Sequence, residues 1–111
     1  MTDWKVCSMS ESQLVNDIIR ALHGCGGAVY RTNAGQFFTR EGQPVKGLPR
    51  GFSDILYIRD GGKACFIECK SPGGVVSPDQ EKFLHDMRSI GAVAGVARSI
   101  DDALDLCGLI P

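Results

Sequence analysis

No apolar stretch in the sequence approaches the roughly 20 residues that a membrane-spanning helix requires. The opening residues Met1-Thr-Asp-Trp-Lys5 lack the charged-then-apolar plan of a secretory signal. A cytoplasmic, intracellular protein without membrane association is therefore expected. Charge of one sign is missing too: 12 basic residues against 13 acidic ones leave a net charge of −1, which argues against nucleic-acid binding through bulk charge. The five cysteines include no C-x-x-C pair and are odd in number, which fits neither a disulfide framework nor a zinc site. His23 and His85 stand alone, with no partner at metal-ligand spacing. Repeats, low-complexity segments and linkers are absent. A length of 111 residues, 43% apolar and 23% charged, predicts one ordinary domain spanning 1–111.

What is present is concentrated between Gly51 and Lys70. Two strand-like apolar runs, Ile55-Leu-Tyr-Ile58 and Ala64-Cys-Phe-Ile67, flank the turn Asp60-Gly61-Gly62. If that loop is three residues long, with Gly62 in the left-handed position, Arg59 pairs with Lys63 and Asp54 falls opposite Glu68. A two-residue loop would set Asp54 against Ile67 and send the two carboxylates to opposite faces, because a one-residue slip flips every side chain. The three-residue loop is the favoured register. Cys65 and Cys69 then share the face of Ile67 and read as small core residues, opposite Glu68.

The flanking segments supply helices and one further strand-and-loop region. Ser10-Glu-Ser-Gln13 has a capping-box pattern, and Leu14, Val15, Ile18, Ile19 and Leu22 follow at helical spacing until Gly24. This predicts a first helix of about four turns, with Glu11 in its first turn, where a carboxylate favours the positive helix end. Ala28 to Thr32 reads as the first strand. Residues 36–50 show little periodicity, contain Gly42, Pro44, Gly47 and Pro49, and carry Arg40, Lys46 and Arg50 beside Phe37-Phe38. Long structureless loops in compact domains are often functional, so a DNA-contacting loop is preferred to a mobile connector. Ser77-Pro78-Asp-Gln80 opens a second helix whose apolar stripe is Phe83, Leu84, Met87 and Ile90. Ala92–Ala97 reads as a buried strand, and Ser99 with Asp102 caps a last helix from Ile100 to Leu106. The expected class is α/β, with a mixed sheet in the order αβββαβ plus a short C-terminal helix. Its strands would form an antiparallel three-stranded meander followed by a right-handed parallel crossover.

Asp54 and Glu68, with Cβ atoms about 5 Å apart if directly opposed, could converge on one cation. Lys70 follows on the face of Glu68, since strand side chains alternate. Two carboxylates so close raise one pKa unless a cation neutralises them, and Mg²⁺ uses one or two carboxylates plus waters and phosphate oxygens. This is equipment for metal-assisted phosphodiester hydrolysis. A solvated hairpin face would carry similar residues, but Glu68 and Lys70 sit at a strand end leading into Ser71-Pro-Gly-Gly74, where sites tend to be built. Residues 31–70 carry seven basic and four acidic side chains, whereas residues 71–111 carry three and six. Neutralising Asp54 and Glu68 would leave the central surface distinctly positive.

Gly51-x-x-Asp54, thirteen intervening residues and Glu68-Cys69-Lys70 resemble the PD-(D/E)XK nuclease signature, with Ser53 in the place of proline. The helix bearing Glu11, the segment Arg31-Thr-Asn33-x-Gly35, the hairpin, the Gly-rich loop and a helix opening with Gln80 together resemble the VRR-NUC (virus-type replication-repair nuclease) family over nearly the whole chain. The resemblance implies a restriction-endonuclease-like core and a Mg²⁺- or Mn²⁺-dependent DNA endonuclease. Asp54 and Glu68 would ligate metal with the Cys69 backbone carbonyl, Lys70 would stabilise charge on phosphate, and Gln80 would position the nucleophile or a phosphate. Glu11 would lie near the metal, alongside its capping reading. Arg31, Asn33, Arg40, Lys46 and Arg50 are the candidate DNA contacts. Stand-alone relatives, often phage-encoded, imply a homodimer cutting branched DNA such as four-way (Holliday) junctions. The alternatives are a flap or nicking nuclease, a non-catalytic nucleic-acid-binding subunit on the same scaffold, and a sequence-specific restriction-type enzyme, for which 111 residues leave little room.

Overall fold

The fold was obtained as a computed structural model, which describes residues 3–32, 37–45 and 47–110; the side chains of residues 3–10 and of Phe37 lie outside that description. The first helix, α1, runs from Asp3 to His23. It begins well upstream of the expected start at Ser10, because no glycine or proline interrupts residues 3–23. Ser10-Glu-Ser-Gln13 is therefore an interior turn, and Glu11 sits away from the helix end. Val15, Ile18 and Leu22 form the buried stripe, and Arg20 and His23 occupy the last turn, where positive charge suits the helix dipole.

Strands β1 (Ala28–Arg31), β4 (Ile55–Ile58), β5 (Ala64–Cys69) and β6 (Val93–Ala97) form one sheet in the order β1-β4-β5-β6. The first three make the expected antiparallel meander, and β6 joins β5 in parallel after the crossover helix α2 (Pro78–Ser89). The hairpin adopts the three-residue register. Ile58 pairs with Ala64 and Ile55 with Ile67, the Arg59 amide donates to the Lys63 carbonyl at 3.1 Å, and the same count sets Asp54 against Glu68. Both Gly61 and Gly62 take positive φ, at 94° and 87°, so each position in the turn beyond Asp60 needs glycine.

Strand β5 is covered on both sides. Cys65, Ile67 and Cys69 enter a core with Val15, Ile18, Leu22, Ile55, Tyr57, Ala97, Ala103 and Cys107, supplied partly by α1 and by α3 (Ile100–Leu106). On the opposite face Phe66 meets Phe52 and Phe83 edge-on, with ring centroids 5.8 and 5.4 Å away. Truncating a residue as enclosed as Ile67 to alanine would cost about 2–5 kcal/mol. The stripe expected on α2 stops earlier than Ile90, which is the helix C-cap and largely exposed, while Leu84 is buried.

The long connection between β1 and β4 contains structure that the sequence pattern did not reveal. Phe37–Phe38 (β2) and Pro44–Val45 (β3) pair as a short antiparallel ribbon. Its turn is closed by the Thr39 amide on the Gln43 carbonyl at 2.8 Å and the Gln43 amide on Thr39 Oγ1 at 3.0 Å. Strands of two residues lack the alternation that marks a strand in sequence. Among the described residues, no helix is long and apolar enough to cross a membrane.

Candidate functional site

The segment Gly51-Phe-Ser-Asp54 is locked residue by residue. Gly51 has φ of 87°, and a Cβ there would lie 2.6 Å from the Asp79 carbonyl oxygen, so only glycine lets this turn pass the start of α2. Phe52 anchors in the aromatic cluster, 4.5 Å from the Phe83 centroid. Ser53, standing where the signature has proline, is fully buried; its hydroxyl donates to the Ile55 carbonyl at 3.1 Å, and its own carbonyl accepts from Thr32 Oγ1. The Thr32 amide then donates to the Asp54 carbonyl at 3.0 Å.

These contacts aim Asp54 along the sheet edge, where its Oδ2 accepts the Cys69 amide at 2.9 Å. In a strand the N–H and C=O of one residue point to the same side, so the Cys69 carbonyl faces the Asp54 side as well. The Cys69 thiol lies in the core on the other face; burial above all, then the charges of Asp54, Glu68 and Glu11, push it up, while Arg31 opposes them. Cys69 can therefore offer its carbonyl to a ligand, and its thiol cannot.

Glu68 is only 2% exposed. Its Oε2 accepts from Gln80 Nε2 at 2.9 Å and lies 3.5 Å from Lys70 Nζ. Burial chiefly, then the negative charge of Asp54, raise its pKa to about 8, with Lys70 pulling the other way. Gln80 also closes the capping box of α2, since its Oε1 accepts the Ser77 amide at 2.9 Å and its own amide donates to Ser77 Oγ. The capping role and the site contact belong to the same side chain.

Lys70 is 8% exposed, and its amide donates to the Ala97 carbonyl at 3.1 Å, fixing the strand end against β6. The loop after it turns back over the lysine stem: a Cβ on Gly74 would sit 3.3 Å from Lys70 Cδ. Arg98, immediately beyond β6, holds that loop with Nη1 donating to the Ser71 carbonyl at 2.7 Å and the Gly74 carbonyl at 3.0 Å. Sequence reasoning passed over Arg98. Parallel pairing of Cys69 with Ala97 puts Arg98 beside Lys70, so aligning the two strand ends would have exposed it.

Glu11 is half-buried on α1 and near enough to act on the Cys69 thiol. It does not complete a cage, for among the described residues no three His, Cys, Asp or Glu side chains converge as a metal site. Arg31 is exposed and donates to Asn16 Oδ1 at 2.8 Å, tying the end of β1 to α1. Arg40 and Arg50 are exposed, Arg50 beside a shallow cleft edged by Asp79, Lys82 and Phe83. Asn33 and Lys46 lie outside the described residues.

A model of the VRR-NUC domain matches residues 4–101. The chain belongs to the VRR-NUC domain family. A solved structure described as a VRR_NUC domain has the same fold at a TM-score of 0.63 and 22% identity, covering 88% of this chain and 94% of that one. No curated protein matches the chain. The mixed sheet and its flanking helices are thus a VRR-NUC, PD-(D/E)XK-like fold, and a domain of this family implies a nuclease-type function with DNA as substrate.

Proposed function

We propose that this VRR-NUC chain is a Mg²⁺- or Mn²⁺-dependent, structure-specific endodeoxyribonuclease that acts as a homodimer on branched DNA, four-way junctions above all. The observation that carries the reading is the buried Glu68 carboxylate, with half-buried Asp54 opposite it and Lys70 Nζ 3.5 Å away. Two carboxylates face one another at a strand end, one of them so poorly solvated that it holds its proton to about pH 8. A divalent cation suits this donor set, since Mg²⁺ commonly takes one or two carboxylates and fills its remaining positions with water and phosphate oxygens. Asp54, Glu68 and the Cys69 carbonyl would hold it. When bound, such an ion polarises the scissile phosphate and makes water nucleophilic at neutral pH.

The chain's own side chains do the rest. Lys70, itself 8% exposed, places a positive charge where negative charge would grow on the phosphate oxygens. Gln80 fixes the orientation of Glu68, and the second N–H of its amide would serve a phosphate or the attacking water. Glu11, whose charge reaches the Cys69 thiol from α1, would shape the outer shell of the site. Arg31, Arg40 and Arg50, with Asn33 and Lys46, are proposed to follow the DNA backbone, positioning it rather than reading bases. One site cuts one strand, whereas a four-way junction needs two paired cuts, which a two-fold dimer supplies at fixed separation. An intracellular setting and a phage-type origin accompany this reading.

Labelled linear, flap, fork and four-way substrates incubated with Mg²⁺ or Mn²⁺ test it, alongside sedimentation of the protein at micromolar concentration. Paired cuts in the four-way junction by a dimer are expected. A monomer that nicks flaps and leaves four-way junctions intact would remove the junction reading and keep the nuclease chemistry; no metal-dependent cutting of any substrate would remove both.

A further inference from the structure

The ribbon β2–β3 rises from the catalytic edge of the sheet. Strand β1 ends at Arg31 opposite Ile55, and the next amide, that of Thr32, bonds to the Asp54 carbonyl. The chain departs there and returns through Phe52, Ser53 and Asp54 itself. Both feet of the excursion across residues 33–53 therefore stand beside the carboxylate pair. Among the described residues, β2 and β3 pack chiefly on each other.

Phe38 is 59% exposed on this ribbon and directly opposite Pro44, so a phenyl ring and a pyrrolidine ring share one face. Val45 and Leu48 add further exposed apolar surface nearby. A phenylalanine left in water forgoes the burial that normally favours folding, and a two-residue ladder is marginal by itself, so the ribbon calls for a surface to rest on. Pro44 has no N–H to donate, which weakens strand addition by a second copy along β3. The charged neighbours favour a different occupant. Arg40 lies in the ribbon turn and Arg50 follows the second strand, both exposed; Glu41 is the one acidic residue between them in sequence, and Arg50 shares its cleft with Lys82, Asp79 and Asp86. A flat phenyl ring backed by a pyrrolidine, in a segment flanked along the chain by two exposed arginines, matches a nucleobase beside phosphates: apolar wedges of Phe and Pro partly unstack base steps, and arginine contacts the adjoining backbone.

We infer that the Phe38–Pro44 face is a wedge that stacks against an unstacked base at the branch point of the DNA, next to the strand ends that carry Asp54 and Glu68. This inference rests on the reading that the protein acts on branched DNA. A duplex without a branch offers no open step, so the wedge would contribute discrimination between substrates.

The test uses the whole chain in the absence of divalent metal, with a four-way junction and a matching linear duplex, each carrying 2-aminopurine at the central step. Wild type should raise the fluorescence of the junction probe by unstacking it. Phe38→Ala should lose that rise and bind the junction roughly 5- to 150-fold more weakly, the range for removing one base–aromatic stack, with linear-duplex affinity nearly unchanged. Phe38→Trp should restore both signals. The exposed position predicts an unaltered melting temperature for either variant. Equal fluorescence and equal junction affinity for wild type and Phe38→Ala would overturn the wedge, as would conversion of a dimer to monomers by that substitution, which would make the ribbon a subunit contact. Metal-dependent cutting by wild type, measured in parallel, separates the two readings: cutting without the fluorescence rise sinks only the wedge, and the rise without cutting sinks only the nuclease chemistry.

Discussion

Replacing Glu68 by glutamine should make the metal-free protein more stable at alkaline pH, although the residue is central to the site. Glu68 is buried against Asp54, and its pKa is raised from 4.5 to about 8. Between those values the folded protein holds a proton that the unfolded chain has released. Stability contributed by this group is therefore full below about pH 4.5 and is lost as pH rises through about 8. Each pKa unit corresponds to about 1.4 kcal/mol, so the loss amounts to roughly 3–5 kcal/mol between pH 5 and 9. Glutamine keeps the shape and the acceptor for Gln80, offers Asp54 a donor and does not ionise. Urea unfolding in a chelator from pH 5 to 9 measures the effect, and the difference between the two proteins isolates Glu68 from other titrations. Wild type should fall relative to Glu68→Gln across that range. Adding Mg²⁺ at about 100 times its dissociation constant should return roughly 3 kcal/mol to wild type at high pH and little to the variant. Parallel pH profiles for the two proteins, or a variant less stable than wild type at pH 9, would refute the buried-carboxylate argument.

Lys70→Ala should abolish metal-dependent cleavage of labelled DNA while leaving a folded protein that still takes up metal; cleavage at the wild-type rate would remove Lys70 from the mechanism. Neutralising Lys46 and Arg50 together should make the salt dependence of DNA binding shallower by up to about two units of slope, one for each phosphate that is no longer neutralised, and an unchanged slope would place the phosphate track elsewhere. Gly51→Ala should destabilise the fold by about 1–3 kcal/mol through its positive φ and its collision with Asp79, seen as a lower midpoint in urea. Arg98→Ala should release the loop over Lys70 and lower the turnover number more than it raises KM, with Arg98→Lys recovering part of the loss; equal loss of stability and activity in both variants would make Arg98 purely structural.

The hairpin register was legible because its turn contains two adjacent glycines, and a count of residues outward from Gly61-Gly62 decides which side chains share a face. That count leaves a two-residue and a three-residue loop open, and the three-residue one is favoured because it sets Asp54 against Glu68, the register that the Arg59–Lys63 pairing shows. The starts of α2 and α3 were equally legible, since Ser77 and Ser99 each accept the amide of the third residue of the helix that follows. The start of α1 was not. Ser10 and Gln13 have the spacing of a capping box, but capping needs a chain that leaves the helix on the N-terminal side, and nothing in residues 3–9 forces it to leave. The ribbon escaped for a different reason: its two strands are held by turn hydrogen bonds at Thr39 rather than by a buried face, so no periodicity records them.

Arg98 and Gln80 mark the limit of reading a site from local pattern. Arg98 reaches the loop after Lys70 only because β5 and β6 run parallel with Cys69 beside Ala97, a relation between residues far apart in the chain. Gln80 looked like a choice between capping and chemistry, and its amide shows why the two belong together. Its oxygen takes the Ser77 amide and its nitrogen donates to Glu68. The capping bond orients the amide, leaving the nitrogen aimed at the carboxylate. A helix start packed against a strand end thus holds Glu68 in place with the same hydrogen bonds that begin the helix. Substituting Gln80 by glutamate would keep an acceptor for Ser77 while setting a second carboxylate against Glu68, so the local capping pattern alone cannot specify this residue; the buried acid beside it does.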